Sequence, residues 1–164
     1  MKELLQQLAA YNEWANQRLT ESILALPEEA LTSTLPSSFN SIHATLLHMW
    51  DAENIWWQRL KLQENIIRPS ERFSGTTIDV SASLLHQNRL WKDWVVNANL
   101  NALDHVFLYQ NTKKEAFKQP VYQMLLHVFT HGSYHRGQLV NMLRQLNVTK
   151  IPATDFIVWS RTKK

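Results

Sequence analysis

The stretch Leu125-Leu126-His127-Val128-Phe129-Thr130-His131-Gly132-Ser133-Tyr134-His135-Arg136-Gly137-Gln138-Leu139-Val140-Asn141-Met142 decides how the chain folds. Leu125, Val128, His131, His135, Leu139, Met142 and Leu146 recur three and four residues apart. That is the period of one face of an α-helix, and an apolar face of this kind must be buried. Pro120 suits the first turn of such a helix, and Asn147 and Pro152 follow its end, so the pattern predicts a helix over residues 120–145. Two imidazoles then lie on the side that turns inward.

Working outward, three more segments have helical periodicity. Leu4, Leu8, Tyr11, Ala15, Leu19 and Ile23 mark a first helix that stops before Pro27. After the Ser- and Thr-rich loop 32–38, Asn40 or Ser41 can cap a second helix reaching about residue 62 and carrying Trp50, Trp56 and Trp57. Residues 66–77 read as a long connection. Asp79 or Ser81 can cap a third helix with Leu84, Leu85, Trp91, Trp94 and Val95, ending near Leu103. Val106 to Gln110 and residues 115–118, on either side of Asn111-Thr112-Lys113, predict a short β-hairpin, and residues 154–159 a closing turn of helix. The expected architecture is all-α: one domain over residues 1–164, a bundle of four long antiparallel helices with long crossing connections and a hairpin between the third and fourth.

Composition removes competing classes. The 164 residues are 45% hydrophobic and 19% charged and contain no Cys, which excludes disulfides, Cys-ligated metals and a protein thiol nucleophile. Any metal must use His, Asp or Glu, and any thiol must come from outside. Gly75, Gly132 and Gly137 are the three glycines, too few and too scattered for a phosphate loop or dinucleotide fingerprint. The formal charge of +3 is accounted for by Arg161, Lys163 and Lys164, so no basic face for nucleic acid is expected. With strictly apolar runs no longer than four residues and charge mixed into the first seven, a soluble, cytoplasmic protein is expected, without membrane partners.

Histidines four apart sit one turn apart on one helix face and can converge on a single ion with bonds of about 2.0–2.1 Å. His127 extends the series, but three histidines at this spacing span roughly 12 Å of helix axis, so one of them serves elsewhere. A third ligand must come from another element. His43 and His48, five residues apart, point about 140° apart, so at most one faces inward; His48 shares its face with Ala44, Ala52 and Ile55. His86 and His105 are poorer candidates. The alternative, a structural or surface His pair with no metal, stays open at this level. Asp51 and Glu53 read as solvated, with the alternative that one of them orients a ligand; Trp50, Trp56 and Trp57 read as core, and Gly132 and Gly137 as a close approach by another helix or a ligand or, equally, as packing notches. No His-Glu-x-x-His occurs, because Gly132 follows His131, and no Glu is followed three residues later by His; the metalloprotease and di-iron carboxylate signatures are absent.

Tyr11-Asn12-Glu13-Trp14-Ala15-Asn16, His48, the block from His127 to Leu139 and the ending Pro152-Ala153-Thr154-Asp155-Phe156-Ile157 resemble the DinB superfamily of metal-binding four-helix bundles. The likeness covers nearly the whole chain, and His-x-x-x-His-Arg-Gly-Gln is its most specific part. The resemblance implies one divalent ion, nickel or zinc, held by His48, His131 and His135, with His127 at a familiar position that is not a ligand. It implies a thiol-dependent S-transferase that joins a low-molecular-weight thiol to an electrophile. The competing classes are a non-enzymatic metal-binding stress-response bundle and a metal-dependent hydrolase. Trp14, Asn16 and Tyr134 are the candidates to touch a substrate, and a homodimer is the expected assembly.

Overall fold

Three- and four-residue spacing puts each stripe of apolar side chains on one side of a 3.6-residue turn, and each stripe becomes a long helix. In the computed structural model, which describes residues 1–111 and 113–162, these are α1 (Lys2–Ile23), α3 (Ile42–Leu60), α4 (Thr77–Asn97) and α6 (Val121–Gln145). Short helices α2 (Glu28–Thr32), α5 (Leu100–Asp104) and α7 (Phe156–Arg161) and a 3-10 turn over Pro69–Glu71 fill the connections. Strands β1 (Val106–Gln110) and β2 (Ala116–Pro120) pair antiparallel, Val106 opposite Pro120 and Gln110 opposite Ala116. The expected turn residue Thr112 lies outside the described residues.

α1 packs on α4 and α6, and α3 packs on the same two helices, which closes a four-helix square. Its interior has two apolar ends. Leu5 and Ala9 of α1 meet Trp91 and Val95 of α4, Phe107 of β1, and Met124, Leu125, Val128 and Phe129 of α6, with Trp56, Trp57 and Leu60 of α3 against them. At the other end Leu19, Ile23, Leu46, Met49, Val80, Leu84, Leu139, Met142 and Leu143 form a second cluster. The early residues of α1 and α6 thus share an end with the late residues of α3 and α4. α1 and α6 run one way, α3 and α4 the other, so the expectation of antiparallel neighbours fails for the α3/α4 and α1/α6 pairs.

Parallel α3 and α4 require residues 61–76 to return along the bundle, and the return is pinned. Gln58 donates to the Ile67 carbonyl at 2.7 Å and accepts from its N–H at 3.0 Å, while the Asp51 carboxylate accepts from the Ser70 N–H at 2.9 Å and from its hydroxyl. Asp51 is buried, which corrects its reading as solvated: it satisfies backbone that would otherwise be orphaned.

Helix boundaries move for identifiable reasons. α3 starts where Ser41 accepts from the Ala44 N–H at 3.0 Å. α4 begins earlier than expected because Thr76 and Asp79 form a reciprocal capping box, so Asp79 lies inside the helix. It ends at Asn97, short of Leu103, because Ala98 is extended and the Asn99 side chain accepts from the Ala102 N–H at 2.8 Å, starting α5 afresh. Pro120 closes β2 instead of opening α6, and the Val121 N–H returns to the His105 carbonyl at 3.0 Å.

The two helical glycines of α6 have unlike surroundings. A Cβ on Gly132 would stand 2.8 Å from Asn12 Oδ1 and 3.3 Å from Arg136 Nη1, whereas one on Gly137 would meet nothing within 4 Å. Only Gly132 marks a close approach, and what approaches is α1. Gly132→Ala is therefore expected to destabilise by about 1–3 kcal/mol through overpacking against a hydrogen-bonded amide, and Gly137→Ala to stabilise by about 0.5–1 kcal/mol through backbone entropy. Urea unfolding midpoints of the two variants check this; shifts of the same sign would refute it.

Candidate metal centre

His131 and His135 stand one turn apart on α6, on the side that faces α3. From α3, His48 meets them: one ring nitrogen from each of His48, His131 and His135 lies within 4.8 Å of the other two. His131 Nε2 and His135 Nε2 are 3.0 Å apart, and the His48 ring centre is 5.3 Å and 4.7 Å from theirs. Nitrogens bound to one ion at about 2.0–2.1 Å with angles near 90–110° lie about 2.9–3.4 Å apart. The α6 pair already has that separation.

The rings are held neutral and oriented. His135 Nδ1 donates to Gln138 Oε1 at 2.7 Å, while Gln138 Nε2 donates to Ser38 and Tyr134 at 3.0 Å and 3.2 Å. With its proton on Nδ1, His135 presents the Nε2 lone pair to the cluster. Burial and then the neighbouring His135 and His48 push His131 down to about 4. Burial first, then His135, lowers His48 against the pull of Asp51, and burial lowers His135. Three neutral imidazoles converging in a desolvated place are donors for a cation and poor neighbours for one another once protonated.

Phe39, on the loop before α3, stacks on His48 with ring centres 4.1 Å apart and reaches to 5.8 Å from His135. Tyr134 lies 5.0 Å from His135 and is 63% exposed, forming the open side. Phe39 falls between the loop expected at 32–38 and the cap expected at Asn40 or Ser41, and nothing in its sequence context marks it. Gln138 was legible: it stands three residues after His135, on the same face.

The remaining candidates go elsewhere. His43 Nδ1 is 3.0 Å from the Thr77 hydroxyl, at the start of α4. His127 packs against Trp56 with ring centres 5.3 Å apart, one turn along from His131. His86 and His105 are exposed. Two expected substrate residues are corrected. Trp14 packs in the cluster of Tyr11, Phe156 and Trp159 that seats α7, with Arg18 over its ring. Asn16 is buried and spends its amide within the bundle.

A helical bundle in which three histidine nitrogens from two facing helices converge defines a class, the four-helix bundles able to take a divalent ion through histidine alone. The chain belongs to the DinB family, whose model matches residues 1–162. Protein DinB of Bacillus subtilis (strain 168) is 27% identical over 177 aligned positions, which take in 95% of this chain and 93% of that one. No helix among the described residues is long and apolar enough to cross a membrane.

Behind the histidines, between the two apolar ends, lies a buried polar layer. Arg136 Nη1 donates to Asn12 Oδ1 at 2.7 Å and Asn16 Oδ1 at 2.9 Å, and Nη2 to Ser133 Oγ at 2.7 Å. Glu53 accepts from Asn12 at 3.2 Å and from Asn88 at 2.6 Å, and Asn16 donates to Asn88 at 2.8 Å. Glu53 is 2% exposed, so its reading as solvated is wrong: all four long helices contribute to its surroundings. Burial pushes its carboxyl up to about 7, against the pull of Asn12, Asn88 and Arg136.

A raised folded-state value means that the folded chain keeps the Glu53 proton where the unfolded chain releases it, between its ordinary 4.5 and about 7. That contribution is full below 4.5 and is lost as pH rises through 7. His131, pushed down to about 4, acts with the opposite sign between about 4 and 6.5, so the two offset each other in the parent. Glu53→Gln isolates the first: relative to the parent it is expected to gain on the order of 2 kcal/mol between pH 5 and pH 8. Urea titrations of both proteins read this difference, and a pH-independent gap would refute it.

Proposed function

We propose that this DinB-family chain binds one divalent ion, nickel or zinc, through His48, His131 and His135, and that the site serves the transfer of a low-molecular-weight thiol to an electrophile. What carries the reading is the convergence of three neutral ring nitrogens within 4.8 Å, with the α6 pair at 3.0 Å. Three neutral protein ligands leave an ion its full charge and open positions, the hallmark of catalytic sites.

When bound, such an ion lowers the pKa of an incoming thiol and so supplies the nucleophilic thiolate. The chain's own residues do the rest. Gln138 holds the His135 proton at Nδ1, so that Nε2 stays available. Phe39 covers His48 and keeps water from that side. Tyr134, at the exposed side, stands where an electrophile would arrive. The thiolate sulfur would form the bond to the electrophilic carbon as the bond from that carbon to its leaving group breaks, the leaving group departing with the electron pair and the thiol's proton passing to solvent. The absence of Cys is consistent with a nucleophile that comes from outside. Residues 1–164 act as one domain in this reading, and the assembly is a homodimer, which light scattering at micromolar concentration would show as twice the chain mass.

His135→Ala and His48→Ala are expected to abolish stoichiometric nickel or zinc in elemental analysis, and His43→Ala and His127→Ala to keep it. Equal loss from all four would overturn the ligand set. Turnover is expected to need both the metal and an added thiol, and to vanish in His131→Ala while its far-UV spectrum is unchanged. A metal-loaded protein with no thiol-dependent rate above background would instead favour non-enzymatic metal binding.

A further inference from the structure

Along the face of α3 that carries His48, eleven residues further on, stands Arg59. At 1.5 Å per residue that is about 16 Å of helix axis, well beyond the histidines. The guanidinium lies over Trp56, 4.4 Å from the ring centre, and Tyr109, 5.0 Å away. Its Nη2 donates to the Gln110 carbonyl at 2.9 Å, and among the described residues its buried Nε has no hydrogen-bond partner. Among the described residues no carboxylate forms an ion pair with it; the acids that do pair are Glu28, Glu71 and Glu13.

Arg59 forms part of a cleft of about 910 Å³ between the end of α3, the connection that follows it and the hairpin. The half-buried lining is Ile55, Arg59, Tyr109 and Asn111, while Leu62, Ile66 and Leu108 stand exposed around it. The other charges lie at the rim: Arg68 is taken by Glu71 at 3.0 Å, and Glu64 is exposed to solvent. Among the described residues the one half-buried charge of the cleft is therefore a cation without a counter-ion. Burial lowers the Arg59 pKa, a cost that the aromatic faces offset only in part. A guanidinium offers five donors in a planar fork matched to a carboxylate, and the apolar side chains beside it suit a hydrocarbon body.

We propose that this cleft is a second binding site, for an organic acid whose carboxylate engages Arg59 and whose apolar body lies against Ile55, Leu62, Ile66 and Leu108. The site needs no metal and stands whether or not the histidines hold one. The carboxylate replaces solvent at the guanidinium and supplies the missing counter-charge; the alkyl part covers side chains now exposed.

Octanoate and octan-1-ol, which share a tail and differ in charge, test this by calorimetric titration of the full chain stripped of metal. Octanoate is expected to bind at least about tenfold more tightly than the alcohol, since the difference rests on the charge-assisted guanidinium contact. Arg59→Gln is expected to erase that preference, and Arg68→Gln to change octanoate affinity less than about twofold, as for a solvated ion pair. Equal binding of acid and alcohol, or a preference that survives in Arg59→Gln, would overturn the proposal. Should Arg59→Gln not fold, the parent still decides: octanoate is expected to shift the NMR signals of the Arg59 Nε–H and the Trp56 indole. Shifts confined to Phe39, Tyr134 and the histidines would place the acid at the other site and sink the idea.

Discussion

The bundle depends on one buried guanidinium. Arg136 reaches from α6 to Asn12 and Asn16 of α1, and through their amides to Glu53 of α3 and Asn88 of α4. Apolar contacts at either end are tolerant of small slips, since one Leu can replace another against a smooth face. The polar layer is not. A buried donor or acceptor left unmade costs about 1–3 kcal/mol, more when charged, so a one-turn slide of any helix would strand several groups together. The layer thereby sets the axial register of all four helices at the level where their apolar ends meet.

That register has a chemical consequence one residue away. With Arg136 directed at α1, the preceding His135 and the more distant His131 turn toward α3. Gly132 lets the two helices close, leaving room for Asn12 where a side chain would stand. The structural and the histidine sides of α6 are thus two faces of one helix. The first faces a fully satisfied network, and the second presents ring nitrogens that satisfy little but one another. This asymmetry is what makes the histidine side available to a cation.

How far this was legible in the sequence follows the range of the forces involved. The stripes of α1 and α6, the hairpin and the His131/His135 pair are periodic over a few residues, and periodicity reads them directly. Asp51 and Glu53 are charged residues on a helix, and by composition they look like solvent-facing ones. Only their partners, Ser70 on the strap that follows α3 and Asn12 and Asn88 on other helices, show otherwise. The same holds for Asn16, whose amide is spent inside the bundle, and for Trp14, whose ring belongs to the seat of α7. Phe39 lay out of reach because a loop residue acquires its place from the helices it leans on.

The strap between α3 and α4 bears on how such a bundle can assemble. Parallel neighbouring helices ordinarily demand the closure of a long, unrewarded loop before their contacts form, and such non-local pairing slows folding. Here the strap bonds back onto the helix it has just left, Ile67 to Gln58 and Ser70 to Asp51, separations of 9 and 19 residues. The return leg is thus built from short-range contacts, and its entropy is surrendered in small instalments that are each met by hydrogen bonds. α3 and its strap form a local unit that carries the chain to the start of α4 already aligned with α3, so a parallel pairing of neighbouring helices is reached by steps of short sequence separation.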